Sequence, residues 1–238
     1  MDEGIFLMKA IILAAGTGSR IRRLSKIKHK CLIKIGEKTL ITRLVDTLRE
    51  IDIKDILIIT GYKSSQIERE IKKKAKYLYF PRYRYTNNLQ TLLYAKKMIN
   101  GPFICSFSDV YFDQQIIKNL IKNKNDFCLG IDTGKILKNT MRIIKMGNKI
   151  TQIGSHIKVS KGNGNFIGIA KFSKNGANKL KKALNHFKEN NEDYYTIALE
   201  KLINEKNKIS FFDCKSLNWG EIDLYKDYIK LKKKYASK

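Results

Sequence analysis

Lys9 to Arg20 reads KAIILAAGTGSR, and this stretch limits the folds open to the chain. Ala10 to Leu13 is a short apolar run rich in β-branched residues, the composition of a strand buried in a parallel sheet. It breaks into Ala14-Ala15-Gly16-Thr17-Gly18-Ser19, where small side chains and glycines let the backbone turn tightly and approach a ligand closely. Arg20 follows at once, and Lys30 lies ten residues further on. Backbone N–H groups with a guanidinium and an ammonium nearby suit a chain of phosphates. A plain strand-to-helix turn would use the same small residues, and the rest of the chain separates the two. No Gly-Lys-Ser/Thr closes the loop, so it is not the Walker type.

Composition narrows the partners. The formal net charge is +26, which suggests nucleic acid. The lysines, however, are spread along the whole chain among Asn and Ile, and no RNA-binding aromatic signature or helix-turn-helix pattern is present. Such a charge would draw in a triphosphate and an anionic acceptor; a basic nucleic-acid-binding protein is the non-enzymatic alternative. No apolar run approaches the roughly 18 residues of a membrane span. Asp2 and Glu3 stand where a signal peptide would be basic, and Met8 looks like the natural beginning, so residues 1–7 are expected to be a leader without fold content. Cys31, Cys105, Cys128 and Cys214 lack CxxC spacing and make no zinc pattern with His29, His156 and His186, as expected of reduced thiols in the cytoplasm.

Further along, Leu40, Leu44, Val45 and Leu48 share a helical face, and Asp55–Thr60 is a buried strand ending at Gly61-Tyr62. Ser65 to Glu68 has the form of a capping box, and Tyr77–Phe80 is a strand stopped by Pro81. Strand–helix–strand–helix–strand is the rhythm of an α/β sheet. Asn87-Asn88 opens the next helix. Pro102–Ser108 is a strand ending in Asp109, where open α/β sheets put their ligands; Asp113 already serves as the cap of the following helix. From Phe127 the pattern turns to strands, with a hairpin turn at Gly147-Asn148 and a polar loop over 158–164. Strand 165–172 carries Gly168, expected to admit an acceptor closely. Helices are expected from about Ser173 and Tyr194, and a strand at Ile209–Phe212. The expected fold is a Rossmann-like three-layer α/β sandwich with a mostly parallel mixed sheet, in one domain over 1–238 with a small β-rich acceptor portion near 127–172.

Three elements recur together: KAIILAAGTGSR followed by His29-Lys30-Cys31-Leu32; Asn87-Asn88-Leu89-Gln90-Thr91-Leu92; and Trp219-Gly220-Glu221-Ile222-Asp223. Together they resemble the nucleotidylyltransferases of sugar phosphates and phosphocholine, most closely the CTP-dependent branch acting on phosphocholine and phosphonates. His29 stands where that family usually has proline. The resemblance implies that Leu13, Ala14, Ala15, Gly16, Thr17, Gly18, Ser19, Gly61, Tyr62, Asn88 and Thr91 bind the nucleotide, and that Arg20 and Lys30 are catalytic. It implies that Asp109 and Asp223 hold Mg²⁺, facing one another across the sheet, and that Asn165 and Trp219 meet the acceptor; Glu221 is left to orient Lys30, contact a cationic acceptor or stand solvated. Tyr83, Tyr85, Tyr111 and Trp219 would offer an aromatic wall to a choline-like cation. The implied partners are CTP and a small phosphate or phosphonate acceptor, with no membrane insertion and the oligomeric state open. UTP or dTTP with a sugar 1-phosphate is the enzymatic alternative.

Overall fold

The computed structural model describes residues 8–18, 28–188 and 193–235. The strands are β1 (Lys9–Ala14), β2 (Lys34–Ile35), β3 (Lys38–Thr39), β4 (Asp55–Thr60), β5 (Lys76–Tyr79), β6 (Phe103–Phe107), β7 (Val110–Phe112), β8 (Phe127–Asp132), β9 (Arg142–Met146), β10 (Lys149–Gly154), β11 (Gly164–Phe172), β12 (Ile209–Asp213) and β13 (Trp219–Glu221). The helices are α1 (Leu40–Glu50), α2 (Ser64–Ile71), α3 (Asn88–Tyr94), α4 (Gln114–Lys122), α5 (Lys174–Leu184), α6 (Thr196–Asn204) and α7 (Tyr225–Tyr235).

Among the described residues the main sheet has nine strands in the order β5-β4-β1-β6-β11-β8-β12-β10-β9. Of these, β10 and β11 run against the rest. The sheet is mixed, as expected, but its parallel pairings are confined to β5-β4-β1-β6 and β8-β12, and the rest are antiparallel. Its continuous apolar strands follow from burial on both faces. In β1, Ile11 and Leu13 pack into one core with α3, α5 and α6 residues such as Leu92, Leu180 and Leu199. Ala10, Ile12 and Ala14 alternate into a second core with Leu44, Ile67 and Ile116 of α1, α2 and α4. The helices thus form the two outer layers.

Two features were hidden in the sequence. First, β11 pairs with β6 and β8 and also, at Gly164 and Asn165, with β9. The strands β11, β8, β12, β10 and β9 therefore close on themselves as a small barrel. The bend falls where the β11–β8 register shifts between Phe166 and Ala170. Gly168 lies there with φ +84, and a Cβ on it would stand 2.6 Å from the Phe107 ring. The neighbour that approaches Gly168 is thus the side chain of Phe107 instead of an acceptor, and the glycine is needed for the bulge. Gly168→Ala is expected to destabilise the fold by about 1–3 kcal/mol, from strain and overpacking together. Urea unfolding measures it, and an unchanged midpoint would contradict the bulge argument.

Second, the expected capping box does not form. Helix α2 starts at Ser64 after Lys63, which has a left-handed backbone, and no side chain caps it. Ser65 therefore lies inside the first turn. The expected cap Asp113 is present, accepting from Gln115 N, and Thr39 and Ser173 also cap their helices, accepting from Thr42 N and Gly176 N.

Candidate active site

Strands β1 and β6 are parallel neighbours, with Leu13 opposite Phe107. Their carboxyl ends therefore reach the same sheet edge, which places the Ala15–Gly18 loop beside Ser108 and Asp109. A separate two-stranded ribbon then supplies the second carboxylate. In it β13 pairs antiparallel with β7, Glu221 opposite Val110, and Ile222 N donates to Asp109 O at 3.2 Å. Asp223 is thus carried to Asp109 by the β7–β13 ribbon, not across the main sheet as expected. Asp227 fixes the turn beyond it, its Oδ2 accepting from Asp223 N at 3.2 Å and from Leu224 N at 2.7 Å.

Lys30 lies between the two aspartates. Its Nζ donates to Asp109 Oδ2 and to Asp223 Oδ1, each at 2.6 Å, and the lysine is buried. Burial alone would lower the pKa of this ammonium, but Asp109 and Asp223, with Glu221 behind them, outweigh it and hold the group above the usual lysine value. Lys30 is therefore charged at any working pH. Carboxylate oxygens of Asp109, Glu221 and Asp223 lie within 4.8 Å of one another. Converging hard oxygen donors fit Mg²⁺, which commonly takes one or two carboxylates and fills its remaining positions with water and substrate phosphates. Asp109 and Asp223 would hold it, with Glu221 alongside.

These groups line a cleft of about 370 Å³ together with Leu13 of β1, Ala15, Gly16, Thr17 and Gly18 of the loop and Asn88 and Thr91 of α3. Asn88 Oδ1 accepts from Tyr195 N at 2.7 Å, which fixes its amide beside the cleft. Other expected residues stand elsewhere. Ala14 is buried in the core behind the loop. Gly61 and Tyr62 support the loop from outside the cleft: Tyr62 N donates to Ala15 O at 3.0 Å, and a Cβ on Gly61 would stand 2.8 Å from that same oxygen. Asn165 is fully buried, with its amide spent on Leu137 N, Thr140 Oγ1 and the carbonyls of Asp132 and Lys135. It braces the 132–140 loop instead of meeting an acceptor. Trp219 Nε1 donates to Asp132 Oδ2 at 3.0 Å, outside the cleft lining. The aromatic wall is not assembled, since Tyr83 lines the cleft whereas Tyr111 packs under Arg43 and Tyr85 is exposed. Ser19, Arg20 and the leader lie outside the described residues.

His29, Arg84, Thr86, Asn87, Phe107, Ser108 and Tyr194 also line the cleft, none of them expected there from the sequence. His29 has a measurable signature. Burial, partly offset by the Gly16 carbonyl, pushes its pKa down from 6.5 to about 4. The unfolded chain takes up a proton there near pH 6.5, the folded chain only near pH 4. Its stabilising difference is therefore whole above about pH 6.5 and is lost as pH falls through that window, by at most about 1.4 kcal/mol per pH unit. Urea midpoints at pH 7 and pH 5 should differ less in His29→Gln than in the wild type. Equal differences would show that His29 is not buried as described.

The comparisons with known proteins bear on this geometry. Residues 9–127 match the family model described as nucleotidyl transferase, which takes in the loop, Lys30 and Asp109. The chain belongs to the nucleotidyl transferase family. It is 26% identical to the CTP:phosphoglutamine cytidylyltransferase of Campylobacter jejuni over 92% of this chain and 97% of that one. It is 33% identical to the choline-phosphate cytidylyltransferase of Streptococcus pneumoniae, a match spanning about half of each chain, 49% in both. Among solved structures, the CTP:phosphocholine cytidylyltransferase of S. pneumoniae superposes with a TM-score of 0.82 at 23% identity, covering 95% of this chain and 98% of that one. That likeness establishes the fold shared by this nucleotidyl transferase. The protein is an enzyme of nucleotidyl transfer, and no described helix is long and apolar enough to cross a membrane.

Proposed function

We propose that this nucleotidyl transferase is a cytidylyltransferase, joining CTP to a small phosphorylated or phosphonate head group with release of pyrophosphate. The observation that carries the reading is the Lys30 ammonium held between Asp109 and Asp223 at the mouth of the glycine loop. The names of the relatives, phosphoglutamine and choline-phosphate cytidylyltransferases, support CTP and a phosphorylated head group of this kind. The product would serve as an activated head group for decorating a surface polysaccharide or lipid, made in the cytoplasm.

In such a transfer an acceptor phosphate oxygen forms a bond to the α-phosphorus as the bond from that phosphorus to the bridging oxygen of pyrophosphate breaks. Both reactants are already anionic, so no covalent nucleophile is needed, and the protein must bring like charges together in line. The loop amides from Gly16 to Gly18 would cradle the triphosphate, and Asn88 and Thr91 would meet the base or ribose. An ammonium has three donors, of which Lys30 gives two to Asp109 and Asp223. The third is suited to an α-phosphate oxygen, where charge develops in the transition state. When bound at Asp109 and Asp223, Mg²⁺ would supply Lewis-acid neutralisation of the phosphate oxygens.

The test is pyrophosphate release in Mg²⁺, crossing CTP, UTP, dTTP, ATP and GTP with phosphocholine, aminoethylphosphonate, phospho-amino acids, polyol phosphates and hexose 1-phosphates. CTP-specific release with a non-sugar head group is expected. Release only with UTP or dTTP and a hexose phosphate would overturn the reading.

A further inference from the structure

The imidazole of His29 joins two parts of the cleft that are separated in the chain. Its Nε2 lies 3.0 Å from the Gly16 carbonyl oxygen. Its Nδ1 lies 3.2 Å from the backbone N of Cys31 and 3.0 Å from Cys31 Sγ. These partners decide the tautomer. A carbonyl oxygen only accepts, so Nε2 carries the hydrogen and donates. A backbone N–H only donates, so Nδ1 is bare and accepts. The neutral ring is thereby satisfied on both sides, and a proton on Nδ1 would confront the Cys31 N–H.

The ring is one of several ties on the loop. The backbone N–H of His29 donates to Gln66 Oε1 of α2 at 3.2 Å, which anchors the histidine itself. The Ala15 carbonyl accepts from Tyr62 N at 3.0 Å. Two consecutive loop carbonyls, Ala15 and Gly16, are therefore held by donors from outside the loop. In a trans peptide the N–H points opposite to the C=O, and no described peptide is cis. Fixing these carbonyls fixes the direction of the Gly16 and Thr17 N–H groups, in the part of the loop that lines the cleft with Lys30.

We propose that His29 is a positioning residue: a neutral latch from the Lys30 turn to the Gly16 carbonyl, keeping the loop amides aimed for a triphosphate and in register with Lys30. The proposal rests on the nucleotidyl-transfer reading above. His29 touches no reacting atom and acts through the loop.

Asparagine and glutamine separate the two functions of the ring. Asparagine at position 29 keeps an acceptor near the place of Nδ1 and can still cap Cys31 N–H, but it is too short to reach Gly16. Glutamine reaches the place of Nε2 with an amide hydrogen for the carbonyl. Calorimetric CTP binding in Mg²⁺, steady-state kinetics and amide hydrogen exchange of the ligand-free protein are compared, with melting curves to show that each variant folds. His29→Asn should lose about tenfold or more in CTP affinity and kcat/KM, and His29→Gln about threefold or less. Exchange at residues 15–18 should rise in the Asn variant and stay near wild type in the Gln variant. If the Asn variant does not fold, His29→Ser, which also caps, replaces it. Wild-type affinity and exchange in the Asn or Ser variant, or equal losses in both Asn and Gln variants, would overturn the latch. A wild type that binds no nucleoside triphosphate would instead sink the functional reading, while the exchange data would still decide on the latch.

Discussion

Lys30→Met is expected to lower turnover by about 10²- to 10³-fold while leaving nucleotide affinity within a few-fold of wild type. The asymmetry follows from where the charge sits. The glycine loop, Asn88 and Thr91 line the cleft independently of the lysine, so ground-state binding should survive its loss. The Lys30 ammonium, already oriented by Asp109 and Asp223, would on the proposed function meet charge that appears only as the α-phosphorus is attacked. The same substitution removes the counter-charge between two partly or fully buried carboxylates. Without divalent ion the variant should melt well below wild type, and Mg²⁺ should raise its melting temperature more than it raises that of wild type, because the cation then meets uncompensated carboxylates. Steady-state kinetics with melting curves at zero and saturating Mg²⁺ check both halves. Parallel losses of affinity and turnover would place Lys30 in ground-state binding instead.

Asp223→Asn is the second large effect. The amide keeps the shape but removes the negative charge, and with it one of the two charged partners of Lys30 and one proposed hard ligand for Mg²⁺. Stabilisation of several kcal/mol is at stake, so activity at moderate Mg²⁺ should fall by about 10²-fold or more. Because Asp109 and Glu221 remain, raising the metal concentration should recover part of the loss, and substituting Asp109 as well should abolish that recovery. CTP binding without metal should change little. A variant with wild-type activity and wild-type Mg²⁺ dependence would remove Asp223 from the site.

The parts of this site that local chemistry encodes were legible in the sequence. The run Ala10–Leu13 declared a doubly buried strand because both of its faces needed apolar cover, and the small residues after it declared a loop able to approach phosphate. Asp109 was found because it ends a strand whose next helix already had Asp113 as its cap. What stayed hidden depends on contacts far apart in the chain. Nothing local announces that β9 returns to β11, nor that β13 pairs with β7 and brings Asp223 beside Asp109. Asn165 and Trp219 were credited to the acceptor because polar and aromatic residues near a motif look like contacts. Their hydrogen bonds in fact hold the loop after β8 and Asp132. His29, a single imidazole between lysines, carries no periodic or spacing signal, and only its distance to Gly16 reveals a role.

On the proposed function Asp109, Asp223 and Lys30 direct attack on the α-phosphorus of CTP. The decisive experiment follows CTP labelled in turn at the α- and the γ-phosphate, with Mg²⁺ and the acceptor that releases most pyrophosphate. The α-label should appear in the product with the acceptor and the γ-label in pyrophosphate, with neither transfer in Asp223→Asn at moderate Mg²⁺. Passage of γ-label to the acceptor, or undiminished transfer in the variant, would contradict that function.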